Sequence, residues 1–195
     1  MQNNNGSNKL DVQSERLKMR RPTAEDADDI LSFYASDPDV TKYLPFAPHK
    51  TLQDSLEFIR WSDEQWERHS FCFIICSKAN MKLIGGIGLA FDDGTRDVAR
   101  LGYCFAKDEW GKGYATEACK RIMDLAKESG VRKLVAPVHP DNIASIRVLE
   151  KCGFQEDLSA SETYFFPNLG KRLKLIGLCR SLSMSIPPPN MMWEA

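Results

Sequence analysis

Apolar residues recur along this chain with two spacings, and the spacing separates helices from strands. Near the N-terminus it is helical: Ala27, Ile30, Leu31 and Tyr34 stand at i, i+3, i+4 and i+7. Thr23 precedes them as an N-cap, with Asp26 three positions on. A strand near Glu15–Arg21 comes first and is stopped by Pro22. SDPDVTKYLPFAPHK (36–50) holds three prolines and reads as a loop. A second helix runs from about Leu52 to Arg68, with Leu56, Ile59 and Trp66 on one stripe.

The middle of the chain is strand-like. FCFIICS (71–77) is continuously apolar, which predicts burial on both faces. KLIGGIGLAF (82–91) and VARLGYCFAKD (98–108) follow, joined by the turn DDGTRD, so an antiparallel meander is expected over about 70–106. Then helical spacing returns. GYATEACKRIMDLAKESG (113–130) puts Ala115, Ala118, Cys119, Ile122 and Ala126 on one face and ends at Gly130. KLVAPV is a strand, and NIASIRVLEKCG is a helix capped by Asn142 with Gly153 past its end. Strands near Glu162–Phe166 and Arg172–Cys179 complete the order β-α-α-β-β-β-α-β-α-β-β. This is a mixed α/β (α+β) pattern with one strand-helix-strand crossover at 98–138.

Length and charge narrow the class. The 195 residues suit one domain, expected over 15–182, between a disordered tail at 1–14 and a Pro-containing tail at 183–195. A net charge of −1 offers no global attraction for nucleic acid or an anionic membrane. No apolar run approaches the roughly 20 residues of a membrane span. The polar first ten residues do not read as a secretory signal, so a cytoplasmic location, or a nuclear one, is expected. The six cysteines form no C-x-x-C pair and the three histidines are scattered. They are expected to be reduced core thiols and non-ligating imidazoles, with no metal.

The chemistry concentrates in DEWGKGYATE (108–117), a glycine-rich turn between a strand and a helix. Gly111 and Gly113 leave main-chain N–H groups uncovered at a helix start, where the helix dipole also favours anions. Lys112 adds charge and Thr116 a hydroxyl, so a phosphate is the natural guest. The pattern is neither G-x-x-x-x-G-K-[ST] nor a full G-x-G-x-x-G, which argues against a P-loop or a dinucleotide site. A plain tight turn before a helix remains the alternative.

With a second segment about 30 residues on, the sequence resembles the GNAT superfamily of acetyl-CoA-dependent N-acetyltransferases. The resemblance is closest to the branch that acetylates ribosomal proteins and small amines. It rests on WGKGYATEA (110–118) and NIASIRVLEKCGF (142–154), with weaker likeness in RLKMRRPTAEDADDI (16–30) and LIGGIGL (83–89). It implies the acyl-CoA N-acyltransferase fold: a central, mostly antiparallel twisted sheet flanked by helices. It implies acetyl-CoA as cosubstrate, with its pyrophosphate on the loop Trp110, Gly111, Lys112, Gly113, Tyr114, Ala115 and on Thr116. Trp110 departs from the family's usual Gln or Arg. The pantetheine arm would run beside the third meander strand at Cys104, Phe105 and Ala106, a main-chain N–H of Cys104–Phe105 would hold the acetyl oxygen, and Asn142 would bind pantetheine, cap its helix, or both.

That strand's own pattern fits: Leu101, Tyr103 and Phe105 form a bulky face, while Arg100, Gly102, Cys104 and Ala106 form a mostly small one. The small face has room for a thin ligand, or packs against the helix at 114–129. The catalytic groups are less legible. Leu149 stands where the family's Tyr acid usually is, leaving Ser145 as candidate acid, or as a hydroxyl bonded only within its helix. Arg100 stands where the branch often has Glu. His139 is the remaining candidate base, or a surface loop residue. The implied partner is an amine acceptor, a protein N-terminus or a small amine, and the implied assembly a monomer or homodimer. A non-catalytic CoA-binding regulatory module is the other reading.

Overall fold

The computed structural model describes residues 11–68, 70–91 and 96–182. The C-terminal tail, most of the N-terminal one and the turn at 92–95 lie outside these. The last part of the expected N-terminal tail is ordered. β1 (Val12–Gln13) pairs with β2 (Leu17–Arg20), and Val12 is buried opposite Met19.

A 3₁₀ turn at Ala24–Asp26 leads into α1 (Ala27–Ile30). Asp26 accepts from the Thr23 N–H (2.7 Å) and from Arg20 Nη2 (2.6 Å). The helix then widens to a π turn at Leu31–Ala35, and the Ser36 N–H reaches back to the Leu31 carbonyl. The expected loop at 36–50 contains α2 (Pro38–Thr41), whose N-cap Asp37 accepts from the Asp39 N–H (2.8 Å). An Asp followed by Pro at the first helical position is a helix-start signal that the prolines farther on obscured. α3 (Leu52–Glu67) is closed by a Thr51–Asp54 capping box.

β3 (Phe71–Ser77), β4 (Leu83–Phe91) and β5 (Val98–Phe105) form the expected antiparallel meander. α4 (Tyr114–Glu128) crosses to β6 (Lys133–Val138), which pairs with β5 in parallel. α5 (Ile143–Lys151) follows, then β7 (Gln155–Glu156), β8 (Thr163–Phe166), β9 (Lys171–Lys174) and β10 (Ile176–Ser181). The strand expected over Arg172–Cys179 is two strands in different sheets. The chain breaks at buried Leu175, leaving β8 and β9 as a separate hairpin while β10 enters the main sheet between β6 and β7. No Gly or Pro marks that break.

The eight-stranded sheet, β1-β2-β3-β4-β5-β6-β10-β7, is antiparallel except at β5–β6. Both faces are covered. Phe73 and Ile75 of β3 join one core with α4 and α5, while Ile74 and Cys76 join the other with α1 and α3. Leu101 and Phe105 lie on the α4 side and Cys104 and Ala106 on the opposite side. The small face of β5 therefore packs away from α4, against the alternative that it packs on that helix. Gly85 sits opposite Phe105, and a Cβ there would meet the Cys104 carbonyl at 2.4 Å.

Candidate active site

β5 and β6 pair at only three positions, Val98, Ala99 and Arg100 against Lys133, Leu134 and Val135. The Lys133 N–H bonds the Asp97 carbonyl (3.0 Å), so residues 133, 135 and 137 turn their main-chain groups toward β5. Residue 137 is proline. It has no N–H for the Leu101 carbonyl, and the parallel ladder ends there. Beyond it β6 stays with β10 and β5 stays with β4, and a gap opens between them. The Ala106 N–H bonds the Ile84 carbonyl (2.9 Å), so even-numbered residues of β5 face β4 with their main-chain groups. Tyr103 and Phe105 face the gap. The Phe105 carbonyl is taken by Trp110 Nε1 (2.8 Å), which leaves the Phe105 N–H on that side. Cys104 and Ala106 turn away from the gap, and burial pushes the Cys104 thiol up to about 12.

The glycine loop follows the end of β5, to which the Trp110–Phe105 hydrogen bond ties it. Gly111 and Gly113 both have left-handed φ, 76° and 81°, which an L side chain rarely adopts. α3 and α5 start with side-chain caps, but α4 has none at Gly113. The first α4 N–H to bond back is that of Glu117, to the Gly113 carbonyl (3.1 Å). Tyr114, Ala115 and Thr116 thus present a bare helix start. Lys112 pairs with Glu109 (2.8 Å), and that hydrogen bond raises its pKa. Trp110 is half exposed, and its indole N–H is already engaged by the Phe105 carbonyl.

Arg16, which the sequence did not single out, backs the loop. Its Nη1 donates to the Lys112 carbonyl (3.1 Å), its guanidinium lies 4.5 Å over the Tyr114 ring, and its Nε pairs with Glu117 (2.7 Å). Burial would raise the Glu117 pKa, but the Arg16 N–H, the Ser14 hydroxyl and the Arg16 guanidinium together hold it below the usual carboxylate range. The acid in the first turn of α4 is thereby neutralised where an anion would arrive.

Across the gap, Asn142 Oδ1 accepts the Ser145 N–H (3.1 Å), so the cap is formed. Ser145 Oγ does not bond within its helix. It meets the Tyr103 hydroxyl at 2.9 Å, and the same hydroxyl reaches the Ser145 carbonyl at 3.2 Å. Burial raises the Tyr103 pKa well beyond its ordinary value, so the phenol stays protonated. Leu149 is a buried core side chain, and the second hydroxyl of the cleft comes from Tyr103 instead.

His139 is buried, not a surface loop residue: its ring packs on Tyr43 (centroids 4.6 Å) and edge-on to Phe166 (5.2 Å). Its Nδ1 accepts the Asp141 N–H (3.1 Å), and burial lowers its pKa. The neutral ring therefore carries its proton on Nε2, which is a donor and not a base. Arg100 lines the cleft and is ion-paired with Glu162. The cleft encloses about 460 Å³.

The family described as acetyltransferase (GNAT) domain matches residues 16–155. The chain belongs to the GNAT acetyltransferase family. It is 34% identical over 146 residues to the uncharacterised N-acetyltransferase p20 of Bacillus licheniformis, covering 74% of this chain and 82% of that one. Among solved structures it is similar to RimL, a ribosomal-protein α-N-acetyltransferase in complex with coenzyme A, at TM-score 0.76 and 14% identity over 88% of this chain and 98% of that one. It is similar also to spermidine N-acetyltransferase from Vibrio cholerae, at TM-score 0.71 and 19% identity over 86% and 96%. The chain is thus an acyltransferase with the GNAT fold, and the gap and glycine loop lie on its core elements.

Proposed function

We propose that this GNAT protein transfers the acetyl group of acetyl-CoA to a primary amine, a protein or peptide α-amine or a small amine. The observation that carries this reading is the convergence of three features on one gap. They are the bare start of α4, the Phe105 N–H, and the hydroxyl pair Tyr103–Ser145. Acetyl-CoA, when bound, supplies an activated thioester. The loop at Gly111–Ala115 and Thr116 holds its phosphates through main-chain N–H groups, which need no particular side chain. Phe105 N–H, rather than that of Cys104, is the donor for the acetyl oxygen, because Cys104 is turned to β4. The Asn142 Nδ2 would donate to the pantetheine while its Oδ1 caps α5.

The Tyr103–Ser145 pair holds a proton beside the expected sulfur. Ser145 donates a hydrogen bond to the leaving thiolate, and Tyr103, which burial keeps protonated, holds the Ser145 hydroxyl in place; the proton the thiolate finally takes up balances the one the attacking amine loses. No Asp or Glu stands among the described residues that line the cleft. The amine must therefore arrive as the free base. At pH 7 that costs about 1 kcal/mol for an α-amine and about 4.6 kcal/mol for a lysine side chain. Acetyl-CoA should raise the melting temperature, and CoA thiol should be released when an amine is added. Absence of both would sink the reading.

A further inference from the structure

Away from Tyr103 and Ser145, the cleft is walled by two loops far apart in sequence. One, at 41–46, brings Tyr43, Leu44 and Pro45. The other, the β8–β9 hairpin, brings Tyr164 and Phe166. Asn168, in the hairpin turn, ties them together. Its Nδ2 donates to the Thr41 carbonyl (2.6 Å) and to the Phe46 carbonyl (2.9 Å), so both amide hydrogens are engaged with one loop. Lys107 pairs with Asp39 of α2, the helix that leads into this loop (2.5 Å). The His139 ring is held between Tyr43 and Phe166, so the two loops and β6 form one aromatic wall. Trp61 on α3 faces the mouth with 49% of its surface exposed, and Tyr164 with 38%.

Charge is nearly absent from this wall. Arg100 is the one formally charged side chain among the described lining residues, and Glu162 neutralises it. A polyamine would bring two or more cations to a surface where none of the described lining residues is an anion. A carboxylate would meet an arginine that already has one. Flat apolar groups, by contrast, find ring faces and edges on several sides.

We propose that this end of the cleft is an acceptor subsite for an amine whose neighbouring group is uncharged and aromatic, and that Asn168 is the positioning residue that holds the subsite together. The proposal rests on the acetyl-transfer reading above.

The test uses four dipeptide amides that differ only in the first residue, Phe, Ala, Lys or Glu, followed by Gly, with spermidine as a fifth ligand. Each is titrated calorimetrically into the full chain saturated with CoA, where no transfer can occur, and each is assayed for kcat/KM with acetyl-CoA. The Phe peptide should bind about tenfold more tightly than the Ala peptide. The Lys and Glu peptides and spermidine should bind more weakly than Ala. Asn168→Asp keeps the shape but turns an anion on two carbonyls. It should remove at least half of the Phe preference by raising KM, with CoA affinity unchanged within twofold. Should Asn168→Asp not fold, Trp61→Ala, at an exposed position, should reduce the same Phe-to-Ala ratio severalfold.

Equal binding of Phe and Ala peptides, or tighter binding of spermidine or the charged peptides, overturns the subsite. An unchanged Phe-to-Ala ratio in Asn168→Asp overturns the latch. CoA release with spermidine alone would overturn the subsite and leave acetyl transfer standing. Failure of CoA and acetyl-CoA to bind would remove both.

Discussion

The two ends of the cleft are built by opposite strategies. The end we propose for the donor is made of backbone: residues 105–117 are contiguous, and what they present is N–H groups, left-handed glycines and an uncapped helix start. The acceptor end is made of side chains from the 41–46 loop, α3, β4, β6 and the β8–β9 hairpin. The donor end carries charge that is balanced within the protein, Arg16 against Glu117 and Lys112 against Glu109. Among the described residues, the end we propose for the acceptor is aromatic and almost uncharged. A ligand common to a whole family is recognised by backbone, which tolerates sequence change. A ligand that differs between members is recognised by side chains, which can be exchanged without disturbing the sheet.

If that division is right, damage to the two ends should separate in binding experiments. The largest effect should come from Gly113→Asp. It forces a side chain into φ 81° and places a carboxylate at the bare helix start. Acetyl-CoA affinity should fall about a hundredfold or more by calorimetry, while acceptor peptides still bind. Unchanged affinity would remove the loop from the donor site.

At the other end, a peptide with a free α-amine should outcompete an N-terminally blocked lysine peptide at pH 7 by about two orders of magnitude in kcat/KM. The gap should narrow as pH rises toward 10. Faster turnover of the lysine peptide would show a base that the described residues do not supply.

Where the ends meet, Tyr103→Phe and Ser145→Ala should each lower kcat by about ten- to a hundredfold, with both KM values little changed. The double variant should be no worse than the more severe single one, because the two hydroxyls act as one unit. Multiplicative losses would mean that the 2.9 Å contact is not part of the chemistry.

The smallest effect tests whether charge at the donor end is balanced. Arg16→Ala should weaken acetyl-CoA binding about fivefold, and adding Glu117→Gln should restore most of it. Glu117 also makes a pH prediction. Its folded pKa is lowered, so its stabilisation is fully present above the unfolded carboxylate pKa of about 4.3 and is lost as pH falls through the folded value. Urea titrations between pH 7 and pH 3 should lose less stability in Glu117→Gln than in the natural chain.

The central strands, the long helices and the left-handed glycine turn could be read from the chain because each depends on neighbours within a few residues, whereas β1, α2 and the break at Leu175 could not. Apolar spacing places β3 in both cores, glycines specify left-handed turns, and Asn142 caps the helix that follows it. KLVAPV reads as one strand, and that Pro137 ends its pairing with β5 but not with β10 depended on the sheet order. The side-chain partnerships were not legible. Tyr103 and Ser145 are 42 residues apart, Arg16 and Glu117 are 101 apart, and Asn168 and Thr41 are 127 apart. His139 reads as a lone residue before a proline until Tyr43 and Phe166 close on it. Main-chain conformation is set locally by sterics and hydrogen bonding. Which side chains meet across the gap is set by strand register and loop packing, and those exist only once the sheet has formed.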